Sequence, residues 1–349
     1  MLPLDPTTDD RLPSAPHPRE AIKLFGQDEA VSGFMKAFQS GRLHHAWILS
    51  GPQGVGKATF AYQAARFLLD PQRGDAFAVD PAHVSSRQIL ALSHPDLHVL
   101  RRKAENEKKP VPNEISVDLA RDAIQFFSST AGAGGYRVLI VDSADHLNRS
   151  SANALLKAIE EPPKQAVIFI VTHMIGRLLP TIRSRCRVLP FRALERPDIE
   201  RILTAASENS SDHDPESLRL AVDNARGSAR RGYQWLDERF AAVSSHVETL
   251  LSQLPEYDRK EVLAMSEAFG RKEGRNDFET MREVVLDWLT AQVALRAGEG
   301  AHRLAPLAEV WEKTEQAVRE TERYNLDRRA LALNIFNDLA TATRRLKAV

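Results

Sequence analysis

Residues 47–59 read Trp47-Ile48-Leu49-Ser50-Gly51-Pro52-Gln53-Gly54-Val55-Gly56-Lys57-Ala58-Thr59. An apolar strand runs into Gly51-x-x-x-x-Gly56-Lys57, and a helical pattern follows from Phe60 to Leu69. A phosphate-binding loop requires that strand–loop–helix context. Gly51, Gly54 and Gly56 let backbone N–H groups close around phosphate oxygens, and the helix N-terminus adds positive potential. Lys57 supplies a point charge for the β- and γ-phosphates. The next position should be Ser or Thr, whose hydroxyl binds Mg²⁺. Here it is Ala58, which has no oxygen. Thr59 is a poor substitute, because one residue along a helix rotates the side chain by roughly 100°.

Working outward, short β-rich runs occupy Ala46–Ser50, Leu97–Leu100, Arg137–Asp142, Ala166–Thr172 and Arg187–Phe191. Several are nearly continuous in Val, Ile and Leu, as expected for strands buried on both faces. Amphipathic helical patterns separate them, at Ser116–Phe127 and at Ser150–Glu161, the second stopped by Pro162-Pro163. The alternation predicts a parallel three-layer α/β domain with five strands. Arg137-Val138-Leu139-Ile140-Val141 ends on Asp142, a carboxylate placed to hold a metal's water shell or, alternatively, to cap a turn. Hydrolysis also needs a base or water-orienting residue, often Glu, directly after it. This chain has Ser143, and a serine hydroxyl is a poor base at pH 7. Asp145 stands close by in sequence. With two catalytic elements missing, hydrolysis in this chain's own pocket is not expected. Binding of ATP or ADP without hydrolysis stays open.

The 349 residues suggest two or three domains. Lys+Arg is 47 and Asp+Glu is 47, so a strongly basic nucleic-acid coat is excluded, although a local basic patch is not. The longest apolar run is Ala166 to Val171, far short of the roughly 20 residues of a membrane span. Cys186 is the single cysteine, so an internal disulfide and a multi-cysteine zinc site are excluded, and a reducing cytoplasm is the simplest compartment. The start of the chain lacks the pattern of a secretory signal. Residues 1–18 hold Pro3, Pro6, Pro13, Pro16 and Pro18 and are expected to form a flexible arm. The segment Asp70–Asn113 is less regular, carries Arg101, Arg102, Lys103, Lys108 and Lys109, and is read as a solvated loop or as a surface that touches nucleic acid or a partner. After Phe191 the β signal disappears. The expected organisation is an α/β domain over 19–192, a small helical lid over 193–239 and an all-helical domain over 240–349, with boundaries good to about 2–4 residues.

The chain resembles the AAA+ clamp-loader family of bacterial DNA polymerase III. The resemblance rests on Phe25-Gly26-Gln27, Arg42-Leu43-His44-His45-Ala46-Trp47, the glycine loop, His94-Pro95-Asp96-Leu97 and Val141-Asp142-Ser143-Ala144-Asp145. Its most specific stretches are Ala152-Asn153-Ala154-Leu155-Leu156-Lys157-Ala158-Ile159-Glu160-Glu161-Pro162-Pro163 and Arg183-Ser184-Arg185-Cys186-Arg187, with a weaker echo at Asn325-Leu326-Asp327-Arg328-Arg329.

The resemblance implies an AAA+ P-loop domain, a lid and a C-terminal collar. It makes Arg185, in Ser184-Arg185-Cys186, an arginine finger acting in trans on a neighbour's ATP, and Cys186 a packing residue. Residues alone would read Arg185 as a surface ion-pair residue. It also implies Thr172 as sensor 1, Arg230 in Gly227-Ser228-Ala229-Arg230 as sensor 2, and Gly26 and Gln27 near the adenine pocket. Many family members carry a four-cysteine zinc module after the first αβ unit; none is expected here. The implied role is a non-hydrolysing stator with tau/gamma and delta subunits as partners. The sliding clamp and primer–template DNA would be reached through the assembly, with no membrane involved. The alternative is an active motor ATPase of the tau/gamma type. A small-molecule phosphotransferase gives the helical C-terminus no role, and zero net charge disfavours a stand-alone nucleic-acid binder.

Overall fold

The computed structural model describes residues 7, 12, 15–77, 80–109, 111–128, 135–207, 214–271, 274–296, 298, 300–324 and 326–347. The chain forms two compact units, Met1–Leu236 and Asp237–Val349.

In the first unit, α1 (Asp28–Gln39) leads into β1 (Ala46–Ser50) and α2 (Lys57–Leu69). Then come α3 (Val84–Leu90), β2 (Leu97–Leu100), α4 (Val117–Gln125), β3 (Arg137–Val141), α5 (Arg149–Glu160) and β4 (Ala166–Thr172). The four-residue α6 (Pro180–Arg183) precedes β5 (Arg187–Pro190), and α7 (Arg196–Ser207), α8 (Pro215–Asn224) and α9 (Ala229–Trp235) complete the unit. Among the described residues the five strands make one sheet in the order β2-β3-β4-β1-β5, with every pair parallel. The expected α/β architecture is therefore present.

The three central strands β3, β4 and β1 are buried on both faces, and side chains alternate between them with a period of two. Ala46 and Ile48, Leu139 and Val141, and Ala166, Ile168 and Ile170 join one core with Leu155 and Ile159 of α5 and Ala120 and Ala123 of α4. On the other face Phe34 of α1 is fully buried, with ring centroids 5.6 Å from Trp47, 5.5 Å from Phe60 and 5.9 Å from Phe169. Helix starts follow local chemistry. Ser116 accepts from Leu119 N–H ahead of α4, and Asn148 Oδ1 accepts from Ser151 N–H ahead of α5.

Two expectations are corrected. The flexible-arm reading fails over residues 15–18: Ala15 and His17 are buried, and the His17 ring lies edge-on to Tyr62 of α2 at 5.7 Å. Thr7 O also accepts from Ala104 N–H at 2.8 Å. Most of the rest of the arm lies outside the described residues. The segment 70–113 is not a loop throughout. It contains α3, whose Ser85, Ser86 and Ile89 are buried, with Ser85 Oγ donating to Leu69 O at 3.1 Å.

The second unit contains α10 (Glu238–Ser252), α11 (Arg259–Phe269), α12 (Arg275–Leu295), α13 (Ala301–Tyr324) and α14 (Arg328–Lys347). Val247, Phe269, Phe278, Met281, Leu289, Ile335 and Phe336 meet in its core. No helix of the described residues is long and apolar enough to cross a membrane.

Phe34→Ala removes a ring from the centre of an aromatic cluster that cannot collapse around the void. The expected cost is about 3–5 kcal/mol of unfolding free energy, read from denaturant unfolding. A loss below about 1 kcal/mol would show that the cluster repacks.

Candidate functional site

Strands β1, β3 and β4 all end on one edge of the sheet, the carboxyl edge at which open α/β sheets hold ligands. A cleft of about 1010 Å³ lies there, and Gly54, Gly56, Lys57, Asp142 and Arg230 of the expected set line it. Thr172 and Gly51 do not line it; both sit just behind. Arg185 lies elsewhere, between α6 and β5.

The loop leaving β1 can turn only because of its glycines. Gly51 has φ +155°, and a Cβ there would sit 2.2 Å from Phe191 O. Gly54 has φ +75°, and its Cβ would meet Ser228 Oγ at 2.2 Å and Arg230 Cβ at 2.5 Å. The start of α9 thus packs directly on the loop, and Ala229 N–H donates to Gly54 O at 2.9 Å. Gln27 is buried and does not line the cleft. Its Nε2 donates to Val55 O at 3.1 Å and Arg192 O at 2.8 Å, and its Oε1 accepts from Arg192 N–H at 3.2 Å. It braces the loop from behind, while Phe25 rather than Gly26 lines the cleft.

Lys57 opens α2 and is 3% exposed. Its Nζ donates to Gly51 O at 2.6 Å and to Pro52 O, both carbonyls of its own loop. Burial pushes its pKa down to about 8, against the opposing pull of Asp145 and Asp142. His173, just past β4, is lowered to about 4 by burial and by the nearby Lys57 charge, so it is neutral at pH 7.

Asp145 is the residue whose role sequence spacing did not reveal. Its carboxylate accepts from Thr172 Oγ1 at 2.8 Å, His173 N–H at 2.8 Å, Met174 N–H at 3.0 Å and Ser143 Oγ at 2.8 Å. Burial raises its pKa, but the hydrogen bonds from His173, Ser143 and Thr172 outweigh that and hold it below the ordinary carboxylate range. A carboxylate with four donors is a brace between β3 and β4, not a base. The same bonds occupy the hydroxyls of Thr172 and Ser143. The only trace of this in the sequence is the Asp-x-x-Asp spacing of 142–145.

The residues therefore fit the phosphate of a nucleotide better than its magnesium. Backbone amides, a helix N-terminus, Lys57 and Arg230 are gathered on one cleft. No hydroxyl follows the lysine, and no available base follows Asp142. Among the described residues no three His, Cys, Asp or Glu side chains cluster as a metal site.

The Arg185 side chain is 43% exposed. Its Nε lies 3.0 Å from Glu160 Oε1, and its Nη1 donates to Thr181 O at 3.2 Å and Ser184 Oγ at 3.3 Å. Cys186 packs against the core beneath the sheet, and burial pushes its thiol up to about 12, so it carries no reactive thiolate at neutral pH.

Residues 26–195 match the family model described as DNA polymerase III, delta subunit. The chain is 34% identical over 212 residues to the DNA polymerase III subunit delta' of Pseudomonas aeruginosa, covering 60% of this chain and 62% of that one. It is 36% identical over 155 residues to the subunit delta' of Escherichia coli, covering 44% and 43%. It is 28% identical over 282 residues to the subunit tau of Escherichia coli, covering 78% of this chain and 42% of the relative. The chain thus spans less than two thirds of the length of each of these relatives.

Lys57 gives a test of the site's electrostatics. Its folded pKa of about 8 lies below the ordinary value of 10.5. In that window the unfolded chain holds a proton that the folded chain lacks, so stability rises with pH there. Relative to Lys57→Met, the wild type should gain about 2 kcal/mol of unfolding free energy between pH 7 and pH 9.5. Denaturant unfolding at a series of pH values checks this, and a constant difference would mean the ammonium is not desolvated.

Proposed function

We propose that this chain is a delta-prime-like member of the DNA polymerase III clamp-loader family, as its similarity to delta' subunits supports, and that it works as the non-hydrolysing stator of a clamp loader and lends Arg185 to a neighbouring ATPase subunit. One observation carries the reading. The chain combines a phosphate loop stripped of its metal hydroxyl and water-positioning residue with an arginine displayed, half-exposed, away from that loop. A guanidinium at a subunit edge stabilises charge on a phosphoryl group transferred next door, and such a finger is worth about 10³–10⁵ in rate. The neighbours would be tau/gamma and delta subunits. The sliding clamp and primed DNA would be engaged through the assembly, with the helical unit 237–349 serving as collar. The degenerate cleft would hold ATP or ADP, if at all, without turning it over.

The second reading is a motor of the tau/gamma type, favoured by the match to a tau subunit across 78% of this chain. Ala58, Ser143 and the saturated Asp145 weigh against it.

In a loader reconstituted with clamp and primed DNA, Arg185→Ala should lower the stimulated ATPase rate at least about threefold while the complex stays assembled on gel filtration. An unchanged rate in an intact complex would rule out the finger.

A further inference from the structure

We infer that Glu160 is the positioning residue of the Arg185 finger; this rests on the stator reading and deepens it. Arg185 is an exposed side chain with many rotamers, and an exposed arginine is poorly aimed unless something fixes it. Three groups on this chain do so. The Glu160 carboxylate forms an ion pair with Nε at 3.0 Å, while the Thr181 carbonyl and the Ser184 hydroxyl accept from Nη1. Among the described residues Nη2 meets no acceptor, so its two N–H groups remain for an anion on a neighbouring subunit. Two of the three groups lie within four residues of Arg185 and move with it. Glu160 alone comes from a different element.

That element is rigid. Glu160 is the last residue of α5, which is capped at its start by Asn148 and closed by Pro162-Pro163. The preceding residue, Ile159, is buried, and its carbonyl lies 2.9 Å from His45 Nε2 beside β1. The backbone that carries the carboxylate is therefore tied to the sheet that also carries the phosphate loop. Glu161, one residue on, has the same charge and is exposed, and it makes no contact with Arg185. That contrast separates positioning from the general effect of negative charge. An exposed ion pair adds little to folding stability, so the role of Glu160 should appear in rate and not in melting.

The test is the ATPase of the reconstituted loader with clamp and primed DNA, with kcat and KM for ATP determined separately. Glu160→Ala should lower kcat about tenfold at most, and at least threefold, with KM unchanged, because the finger is misplaced only in the transition state. Glu160→Gln keeps the size of the side chain but removes its charge and should lose about as much as Glu160→Ala, Glu160→Asp should recover part of that loss, and Glu161→Ala should match wild type. The double variant Arg185→Ala, Glu160→Ala should be no slower than Arg185→Ala alone. In the isolated chain, the NMR signal of Arg185 Nε–H should be ordered in wild type and averaged in Glu160→Ala and Glu160→Gln. An unchanged or faster Glu160→Ala loader, or additive losses in the double variant, would overturn the positioning role while Arg185→Ala still left the finger standing. A silent Arg185→Ala would instead remove the finger reading, and the inference with it.

Discussion

The hydrogen bond from Ala229 N–H to Gly54 O holds the site together, because it joins the phosphate loop to the helices that follow the sheet. It forms only because Gly54 has no side chain; a Cβ would overlap Ser228 and Arg230. Gln27 reinforces the joint from behind by bonding both Val55 and Arg192. Leu194 N–H then donates to Gly227 O at 2.8 Å, closing the circuit from β5 to the start of α9. Loop, strand exit and helix start are thus one hydrogen-bonded unit. A part whose backbone groups are already satisfied has little to gain by rearranging. That gives the idea of a fixed loader subunit a physical content.

The same economy governs the charges. Lys57 spends its ammonium on the loop's own carbonyls, and Asp145 spends its carboxylate on four donors at the ends of β3 and β4. The carboxylate next to Asp142, which could otherwise serve metal or water, is here an internal tie. Arg185 is arranged in the opposite sense. It is anchored along one side and half exposed, which suits action on another chain's phosphate more than on this chain's own.

Much of the fold was legible in the sequence because a sheet buried on both faces needs runs such as Arg137–Val141 and Ala166–Thr172, which little else explains. The phosphate loop was legible because only glycines permit its turns. Other features were hidden for identifiable reasons. Helix α3 is short and starts on His83, whose ring nitrogen accepts from Ser85 N–H at 3.3 Å, a cap that composition does not announce. Residues 15–18 look like linker, yet His17 finds the face of α2 at Tyr62. The pairing of Glu160 with Arg185 joins residues 25 positions apart, which only the tertiary fold brings together.

This chain's own cleft is expected not to turn over ATP, and the decisive measurement is hydrolysis of γ-labelled ATP by the purified chain alone, with and without Mg²⁺, beside Lys57→Ala. Phosphate release at background, equal in wild type and Lys57→Ala, is the expected result. Mg²⁺-dependent release that Lys57→Ala abolishes would contradict it and make the chain a motor.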